Sequence, residues 1–285
     1  FGFYMIMAAQ FFSALADNAL LIAAIYALRE MQAPTEYEPL LKTFFTLSYV
    51  LLAAFVGAFA DSMPKWRVMF ISNAIKIAGC SMMFFGAHPL VAYAVVGLGA
   101  AAYSPAKYGI LTEYLPHRLL VVANGWIEGL TVGAIILGVV IGGTLIRPDI
   151  SQTLLAFDFP LIDTGVDTIG EMALSIIGVF YIIASLFNLY VPDTGVDHKQ
   201  LKSNPFYLIH EFNHCLSLLW RDKLGQISLA VTTLFWGAGA TLQFIVIKWS
   251  EVALNLDLSK ASMLQGVVAV GVAMGAVAAA KFITL

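Results

Sequence analysis

Residues 57–68 read GAFADSMPKWRV, and they join two long apolar runs at about 43–60 and 66–86. Each run approaches the ~20 apolar residues that an α-helix needs to cross a bilayer. The connector holds Lys65 and Arg67, and short cationic loops stay on the cytoplasmic side of a membrane. The stretch therefore predicts a tight cytoplasmic turn between two membrane-spanning helices.

The composition of the whole chain supports the same class of protein. Of its 285 residues, 60% are hydrophobic and 12% are charged, and the mean hydropathy is +0.85. Ordinary soluble domains carry about 25% charged residues, so this chain cannot cover itself with polar surface in water. A transmembrane β-barrel would show alternating segments of ~10 residues instead. We therefore predict an all-α polytopic membrane protein.

The same length rule predicts eight membrane-spanning helices along the chain. They are placed at about residues 2–28, 43–60, 66–86, 89–113, 120–146, 169–191, 224–248 and 261–285. The chain opens inside an apolar run without a starting Met or a cleavable signal peptide, and it ends inside another apolar run. We therefore expect it to cover part of a longer protein.

The connectors between these runs alternate in charge. One set is rich in cations: Lys65, Arg67, Arg118, Lys199, Lys202, Arg221 and Lys223. The other set holds fewer cations and many acids: Glu30, Glu36, Glu38, Asp149, Asp158, Asp163, Asp167 and Glu171. Because cationic loops stay inside, we predict that the 2–3, 4–5 and 6–7 connectors face the cytoplasm.

The longest cytoplasmic connector, at about 192–223, divides the chain into two parts. Six predicted spans lie before it, at 1–191, and two begin after it, at 224–285. Its end, NPFYLIHEFNHCLSLLW, separates apolar from polar residues on two helical faces: Ile209, Phe212, Leu216 and Leu219 against His210, Asn213, His214 and Ser217. This pattern predicts an amphipathic helix on the inner membrane face, within the two-bundle layout of a secondary transporter.

Two short motifs resemble hydrolase signatures. His210 and His214, with Glu211 between them, match the H-E-x-x-H pattern of zinc proteases. A catalytic zinc needs a third protein ligand; after His214 the nearest acid is Asp222, and the next, Glu251, lies on the far side of the membrane. An intramembrane zinc metalloprotease is therefore an unfavoured alternative, and we expect no catalytic residue, no metal and no cofactor.

The second motif, DTGVD, occurs at 163–167 and again at 193–197. In aspartic proteases two such aspartates share a proton. Here the two copies flank one predicted span, so their carboxylates would lie on opposite sides of the bilayer. We interpret both copies as turns at helix ends, where Asp and Gly are common.

Residues 57–68 also fit the pattern G-x-x-x-D-x-x-x-[RK]-x-[RK], which resembles that of the major facilitator superfamily. Gly57 is predicted to allow close approach of two helices. Asp61 is predicted to pair with a cation or to cap a neighbouring helix, and thereby to act as a gate or latch. Lys65 and Arg67 are predicted to anchor the cytoplasmic side.

Residues 103–116, YSPAKYGILTEYLP, place polar groups near and inside the end of the fourth span. Pro105 is predicted to kink the helix, because it removes a backbone hydrogen bond. Glu113 is predicted to end the span near the cytoplasm, within reach of Arg67 or Arg118.

Ionisable residues inside a span are functional candidates by default. At 1.5 Å per residue, Lys76, Glu128 and Lys107 lie about 15, 12 and 9 Å from the cytoplasmic side, and Asp17 lies about 22 Å along the first span. The first three are therefore predicted to share a layer, whose excess positive charge suits an anionic group such as a phosphate. The alternative is an internal pair of Lys107 or Lys76 with Glu128.

Small and aromatic residues mark the fifth and seventh spans. In the fifth span, glycines recur at a spacing that favours helix packing, and also allows two bundles to rock: Gly129, Gly133, Gly138, Gly142 and Gly143. In the seventh span, Trp236 and Gln243 lie near glycines and could line a cavity, although on their own they are better explained by packing or lipid contact.

Together these stretches resemble the lysophospholipid transporter family of Gram-negative bacteria, a branch of the major facilitator superfamily. The resemblance covers nearly the whole chain and rests on AQFFSALADNALL, FVGAFADSMPKWRVM, AAYSPAKYGIL, LFWGAGATL and GAVAAAKFITL. It implies the superfamily fold, with an N-terminal six-helix bundle and the first two helices of a C-terminal bundle in this chain. Family members have twelve spans in total.

The resemblance also implies an activity. Family members move lysophosphatidylethanolamine and lysophosphatidylglycerol from the outer to the inner leaflet of the bacterial inner membrane by alternating access. A cytoplasmic acyl-carrier-protein synthetase/acyltransferase then re-acylates these lipids. The implied protein is not an enzyme, binds no nucleic acid and is a monomer among membrane lipids. A proton-coupled drug or metabolite antiporter of the same superfamily, with Asp17 or Glu128 as proton carrier, is the alternative.

Asp17 and Lys107 match charged residues of the family by position. The family pattern has a basic residue where this chain has Gln243, so a headgroup clamp there would lack its cation. A lysolipid needs one polar wall and one apolar wall, and the 20 Phe and 10 Met of the chain can supply the apolar one. The predicted substrate-binding or translocation residues are Asp17, Asn18, Lys76, Lys107, Tyr108, Glu128, Trp236 and Gln243.

Overall fold

The structure, a computed structural model, describes residues 1–156, 166–197 and 205–268, together with Gly271 and Met274. Every regular element within those residues is a helix. In chain order they are α1 (Gly2–Glu30), α2 (Tyr37–Asp61), α3 (Lys65–Phe84), α4 (Pro89–Tyr114), α5 (His117–Leu145), α6 (Pro148–Leu155), α7 (Ile169–Leu189), α8 (Pro205–Arg221), α9 (Lys223–Leu254) and α10 (Leu258–Met263).

The long helices confirm the predicted class of an all-α polytopic membrane protein. Six of them, α1, α2, α4, α5, α7 and α9, are long and apolar enough to cross a membrane. The predicted third span matches α3, which has 20 residues and is therefore about 30 Å long. Most of the predicted eighth span, 261–285, lies outside the described residues, and its described beginning is α10.

The six long helices before residue 190 form one bundle with α1 at its centre. Helix α1 contacts α5 on one side and α7 and α4 on others, while α3 packs between α4 and α7. Side chains all around α1 are buried, among them Leu20, Leu21, Ile22 and Ile25, each 0% exposed. A helix that is apolar on every face is suited to such a central position.

Among the described residues, close helix packing occurs at only some of the predicted glycines. Gly138 and Gly142 of α5 lie against α1, and a Cβ at Gly142 would come within 2.8 Å of the Ala19 carbonyl oxygen. Gly143 faces Ser262 of α10. For these three positions the packing interpretation is confirmed.

At Gly57, Gly129 and Gly133 an added Cβ would meet nothing within 4 Å among the described residues, so close packing at these three positions stays a prediction. Among the second, third and fourth spans, close contacts are made by glycines of α4 and by Gly79 of α3. A Cβ at Gly97 or Gly99 would lie 2.5 Å from a backbone carbonyl oxygen of α2 or α3. Sequence spacing identifies small residues but not the direction in which each one points.

The acidic connector after α5 contains α6, a short helix that the apolar length rule does not detect. It begins with Pro148 at its first helical position, where the missing N–H of proline is harmless. Asp149 in its first turn accepts hydrogen bonds from Arg147, at 2.7 and 3.1 Å. The Arg147 guanidinium thereby lowers the pKa of the Asp149 carboxyl.

The amphipathic helix of the long connector is confirmed as α8. Its apolar face is uncovered in the described structure, with Ile209, Phe212, Leu216 and Leu219 between 38% and 44% exposed. Its position on the inner membrane face stays a prediction, as does the division of the chain at 191 and 223. Residues 198–204 of the connector lie outside the described residues.

The second DTGVD copy forms a turn, as predicted. The Asp193 carboxylate accepts a hydrogen bond from the Gly195 N–H at 3.1 Å, and Gly195 has a φ of +67°, which glycine adopts without strain. Most of the first copy, including Asp163, lies outside the described residues.

A sharp reversal connects α9 to α10. Asn255 ends α9 in the left-handed region, with φ 52° and ψ 38°, a conformation that Asn tolerates better than most residues. The Leu256 N–H then bonds back to the Ser250 carbonyl at 3.2 Å, and the Asp257 carboxylate caps α10 by accepting from the Lys260 N–H at 2.9 Å. Only residues 255–257 separate the two helices.

Candidate functional site

A buried ion pair lies inside the N-terminal bundle, between α1 and α3. Lys76 Nζ lies 2.7 Å from Asp17 Oδ2 and donates to Ser13 Oγ at 2.8 Å. The Tyr181 hydroxyl of α7 donates to the other oxygen, Asp17 Oδ1, at 2.8 Å. Lys76 is 2% exposed and Tyr181 is 0% exposed. We call Asp17 and Lys76 the core pair.

Further polar groups surround the core pair. Ser13 donates in turn to Asn73 Oδ1 at 2.8 Å. The Tyr93 hydroxyl of α4 donates to the backbone carbonyl of Asp17 at 3.1 Å. Charges within a membrane protein are stable only when such partners replace water, and this network joins α1, α3, α4 and α7.

The predicted separation of Asp17 from Lys76 is therefore wrong. Counting rise from the start of each helix assumes that α1 and α3 begin at the same height, and it ignores the length of the lysine side chain. The predicted excess of positive charge is also wrong, because Asp17 neutralises Lys76. Lys76 faces Asp17, and Lys107 faces Glu128.

A second ion pair joins α4 to α5, and we call Lys107 and Glu128 the open pair. Lys107 Nζ lies 3.6 Å from Glu128 Oε1, and the Glu128 side chain is 39% exposed. The Tyr108 hydroxyl donates to the same oxygen at 2.6 Å, and its ring centroid lies 4.2 Å from Lys107 Nζ. The pairing of Lys107 with Glu128, which the sequence left as one alternative, is confirmed, and Lys76 takes no part in it.

Within the open pair, the Lys107 ammonium makes only a long contact with its carboxylate. Charge-assisted N–H···O bonds are about 2.7–2.9 Å long, so a separation of 3.6 Å is an ion contact rather than a strong hydrogen bond. Glu128 Oε1 is already occupied by the Tyr108 hydroxyl. The Lys107 ammonium has three N–H donors and can therefore donate to a further anionic partner.

The other predicted site residues lie apart from the open pair. Asn18 is 6% exposed, and its amide donates to the Ala14 carbonyl at 2.9 Å. On α9, Trp236 is 54% exposed, and the backbone carbonyl of Gln243 accepts from Gln265 at 3.2 Å. Of the eight predicted residues, the structure brings Lys107, Tyr108 and Glu128 together on one side and Asp17 and Lys76 on another.

The predicted latch at the 2–3 connector is centred on Lys65. Its Nζ lies 2.7 Å from Asp61 Oδ1 and 3.4 Å from Glu113 Oε1, and it donates to the Ala60 carbonyl at 2.8 Å. The predicted pairing of Asp61 with a cation is confirmed. Glu113 Oε2 also accepts from the Thr194 hydroxyl at 2.7 Å, which ties the start of the connector to this latch.

The predicted contact of Glu113 with Arg67 or Arg118 is wrong. Arg67 instead lies 5.1 Å from the ring centroid of Trp66, and Arg118 is exposed. Lys65 reaches Glu113 because it lies on the first turn of α3, next to the end of α4, and its side chain is only 6% exposed.

A third cluster, which the sequence did not single out, lies at the other end of the bundle. Arg29 Nε and Nη2 bond to the two carboxylate oxygens of Glu38 at 2.8 and 3.1 Å. Arg29 Nη1 bonds to Glu251 Oε1 at 2.7 Å. The cluster joins α1, α2 and α9. The sequence did contain a signal for this cluster, because Arg29, Glu38 and Glu251 are charged and lie at predicted outer ends of helices.

These features define a class of protein. Helices that can span a membrane, ion pairs within a helical bundle, and a long connector to further spans characterise secondary membrane transporters. The family model for the Major Facilitator Superfamily matches residues 6–284. The chain belongs to this superfamily, as the sequence predicted, and it is a multi-pass membrane protein of a transporter family.

Individual relatives are similar over almost the whole chain. A protein of Yersinia enterocolitica named "Lysophospholipid transporter LplT" is 41% identical over 285 residues, which is 100% of this chain and 66% of that relative. Proteins of the same name from Serratia proteamaculans and Yersinia pestis are each 40% identical over 281 residues, covering 66% and 64% of those relatives. The chain thus spans about two thirds of the length of the curated relatives it matches.

Proposed function

We propose that the protein transports lysophospholipids across the bacterial inner membrane by alternating access. The proposed cargo is lysophosphatidylethanolamine and lysophosphatidylglycerol, moved from the outer to the inner leaflet. The observation that carries the proposal is the 40–41% identity, over nearly the whole chain, to proteins named lysophospholipid transporter. Membership of the Major Facilitator Superfamily supports transport as the general activity.

The open pair has the chemistry that a lysolipid headgroup requires. A headgroup phosphate that approaches Lys107 gains a charge-assisted hydrogen bond while displacing only a contact of 3.6 Å. Glu128 stays bound to the Tyr108 hydroxyl when this happens, so its carboxylate is not left without a partner. In a zwitterionic headgroup the same carboxylate accepts from the ethanolamine ammonium.

Apolar side chains on the same helix suit the single acyl chain. Val132 and Ile135, four and seven residues after Glu128 on α5 and therefore on the same face of the helix, are half-buried. Burying an acyl chain against such residues is favourable by about 0.8 kcal/mol per CH₂ group. The headgroup site and the acyl surface thus share one element.

The wider setting of the transporter follows from this proposal. Lysolipids delivered to the inner leaflet are substrates for a cytoplasmic acyl-carrier-protein synthetase/acyltransferase, which we propose as the functional partner. The cationic 2–3, 4–5 and 6–7 connectors support a cytoplasmic location for those loops. The proposed transporter is a monomer, with membrane lipids as its surroundings.

The test is uptake of labelled lysophosphatidylethanolamine into spheroplasts that express the protein. Lys107→Ala removes the proposed phosphate partner and is expected to lower uptake at limiting lipid about 10-fold or more, the effect of losing a hydrogen bond to a charged group. Arg147→Ala is the matched control, because it removes a cation from a solvent-exposed ion pair on α6.

Two results would contradict the proposal. If Lys107→Ala takes up the lipid as fast as the parent does, the open pair does not take part in lysolipid transport. Transport of a soluble drug or metabolite that follows the proton gradient, without competition from lysolipid, would favour the antiporter alternative.

A further inference from the structure

The contacts at the outer end of the bundle differ in how many bonds hold each partner. We use "outer" for the end where α1 finishes, following the predicted orientation. Arg29 is bonded to Glu38 through two nitrogens and to Glu251 through one. Fork-shaped, two-bond contacts of an arginine with one carboxylate are both stronger and geometrically more specific than single bonds.

The two partners of Arg29 belong to different parts of the protein. Glu38 lies in the first turn of α2, within the N-terminal bundle, whereas Glu251 lies near the end of α9, beyond the long connector. Among ion pairs within the described residues, Arg29–Glu251 is the one that joins these two parts. Both carboxylates are well shielded, with side chains 14% and 15% exposed.

Apolar packing reinforces this junction. Ile247 of α9 and Leu258 and Ala261 of α10 belong to the same buried cluster as Leu28 of α1. Next to them, Gly143 of α5 lies against Ser262 of α10. By contrast, the described apolar cluster at the inner end, which includes Ile6, contains no residue of α9 or α10.

We propose that the Arg29–Glu251 ion pair is the outer gate of the transporter, closed in this structure, and that Glu38 holds the arginine when the gate opens. Opening breaks the contact between Arg29 Nη1 and Glu251, because that contact is a single hydrogen bond. Two hydrogen bonds hold Arg29 to Glu38 of α2. When α9 leaves, the arginine charge stays compensated by Glu38. The proposal concerns the movement of the two parts and holds for any cargo.

The test measures the distance across the gate by electron paramagnetic resonance. Cys80→Ser and Cys215→Ser remove the two native thiols, and spin labels are attached at Met31→Cys and Leu254→Cys. These positions lie at the outer ends of α1 and α9, and they are 55% and 46% exposed. The parent is expected to show mainly a short distance, from the closed gate.

The variants separate the two partners of the arginine. Glu251→Gln is expected to raise the ratio of long to short distances by about 10-fold, because a charged partner is lost. Glu38→Gln is expected to change that ratio by less than about 3-fold, since the cross-bundle bond remains. Arg29→Glu, which places three carboxylates together, should open the gate, and the exchange Arg29→Glu with Glu251→Arg should close it again.

The inference is overturned if Glu251→Gln and Arg29→Glu leave the distance distribution of the parent unchanged. The retaining role of Glu38 is overturned if Glu38→Gln opens the gate as far as Glu251→Gln does. Rescue by the charge exchange shows that opening in Arg29→Glu comes from the lost ion pair and not from disruption of the fold at that position. Because the distances are measured without lipid, failure of the gate and failure of the lysolipid proposal give separate results.

Discussion

The core pair and the open pair contain the same two kinds of charge, a buried lysine and a carboxylate that accepts from a tyrosine, yet they differ in contact length and in the exposure of the carboxylate. In the core pair the charges lie 2.7 Å apart, and Tyr181 and Ser13 occupy further bonding positions. In the open pair the contact is 3.6 Å long, and the shared carboxylate oxygen is taken by a tyrosine. The first pair has little capacity left for a ligand, whereas the second retains it.

This difference teaches that an ionisable residue within a span is not by itself a ligand site. A charge buried away from water must be paired and hydrogen-bonded, and the core pair meets that requirement within the bundle. We therefore interpret it as holding α1, α3 and α7 together. The capacity for recognition lies in the open pair, where Lys107 is incompletely paired; its own side chain is only 8% exposed, but that of its partner Glu128 is 39% exposed.

The largest effect is expected from breaking the core pair. Lys76→Met leaves the Asp17 carboxylate buried without its cation, and the loss in free energy of unfolding is expected to be about 3–5 kcal/mol. Lys107→Met should cost far less, because the Glu128 side chain is 39% exposed and keeps its hydrogen bond from the Tyr108 hydroxyl. Melting temperatures in detergent measure both variants.

A double variant sharpens this test. Asp17→Asn combined with Lys76→Met removes both charges, so much of the lost stability should return. Equal melting temperatures for the Lys76→Met and Lys107→Met proteins would break the distinction between the two pairs.

The next effect is one of selectivity at the open pair. Glu128→Gln removes the carboxylate that we assign to the ethanolamine ammonium, so uptake of lysophosphatidylethanolamine is expected to fall about 10-fold. Uptake of lysophosphatidylglycerol, which has no ammonium group, should fall much less. Competition between the two labelled lipids measures the ratio, and an equal loss for both would contradict the assignment.

A smaller effect is expected from the tyrosine of the open pair. Tyr108→Phe removes the hydroxyl that holds Glu128 Oε1, so the carboxylate should move towards Lys107 and compete with the lipid phosphate. The loss of one neutral hydrogen bond corresponds to a change of about 3- to 10-fold, seen mainly in KM for uptake. Tyr103→Phe is the matched control, because within the described residues the Tyr103 hydroxyl has no hydrogen-bond partner.

The smallest effect is expected at Arg147 and Asp149, whose contact of 2.7 Å is as short as that of the core pair. Both side chains face solvent, where ion pairs contribute little. Because Arg147 lowers the pKa of Asp149, any contribution is present at neutral pH and is lost only as the pH falls below the ordinary range of an aspartate. The melting temperature of Arg147→Ala at pH 7 should equal that of the parent, and a clear decrease would show that bond length outweighs burial.

The spans could be predicted from the sequence because their signal is local. A helix in lipid satisfies its own backbone groups, so about 20 apolar residues suffice to place it. The cluster of Asp61 and Lys65 was also predictable, since the two residues lie four apart at one helix junction. The short α6 was missed because eight residues give too little periodicity.

The partners of the remaining charges could not be predicted, because they depend on the rotation and relative height of separate helices. Asp17 meets Lys76 across 59 positions in the sequence, and Arg29 meets Glu251 across 222. Gly97 and Gly99 lie at close helix contacts while Gly57 has none among the described residues, although all three lie in apolar runs. Resemblance to a family supplies the fold but not these pairings.

The reversal at Asn255 is so short that α9 and α10 should move together as one rigid unit. Glu251 of α9 and Ser262 of α10 are therefore released from the N-terminal bundle in a single event, rather than in succession. Opening should therefore be cooperative, with few half-open molecules. A distance distribution with two separate peaks, instead of a continuous spread, is the signature of such all-or-none motion.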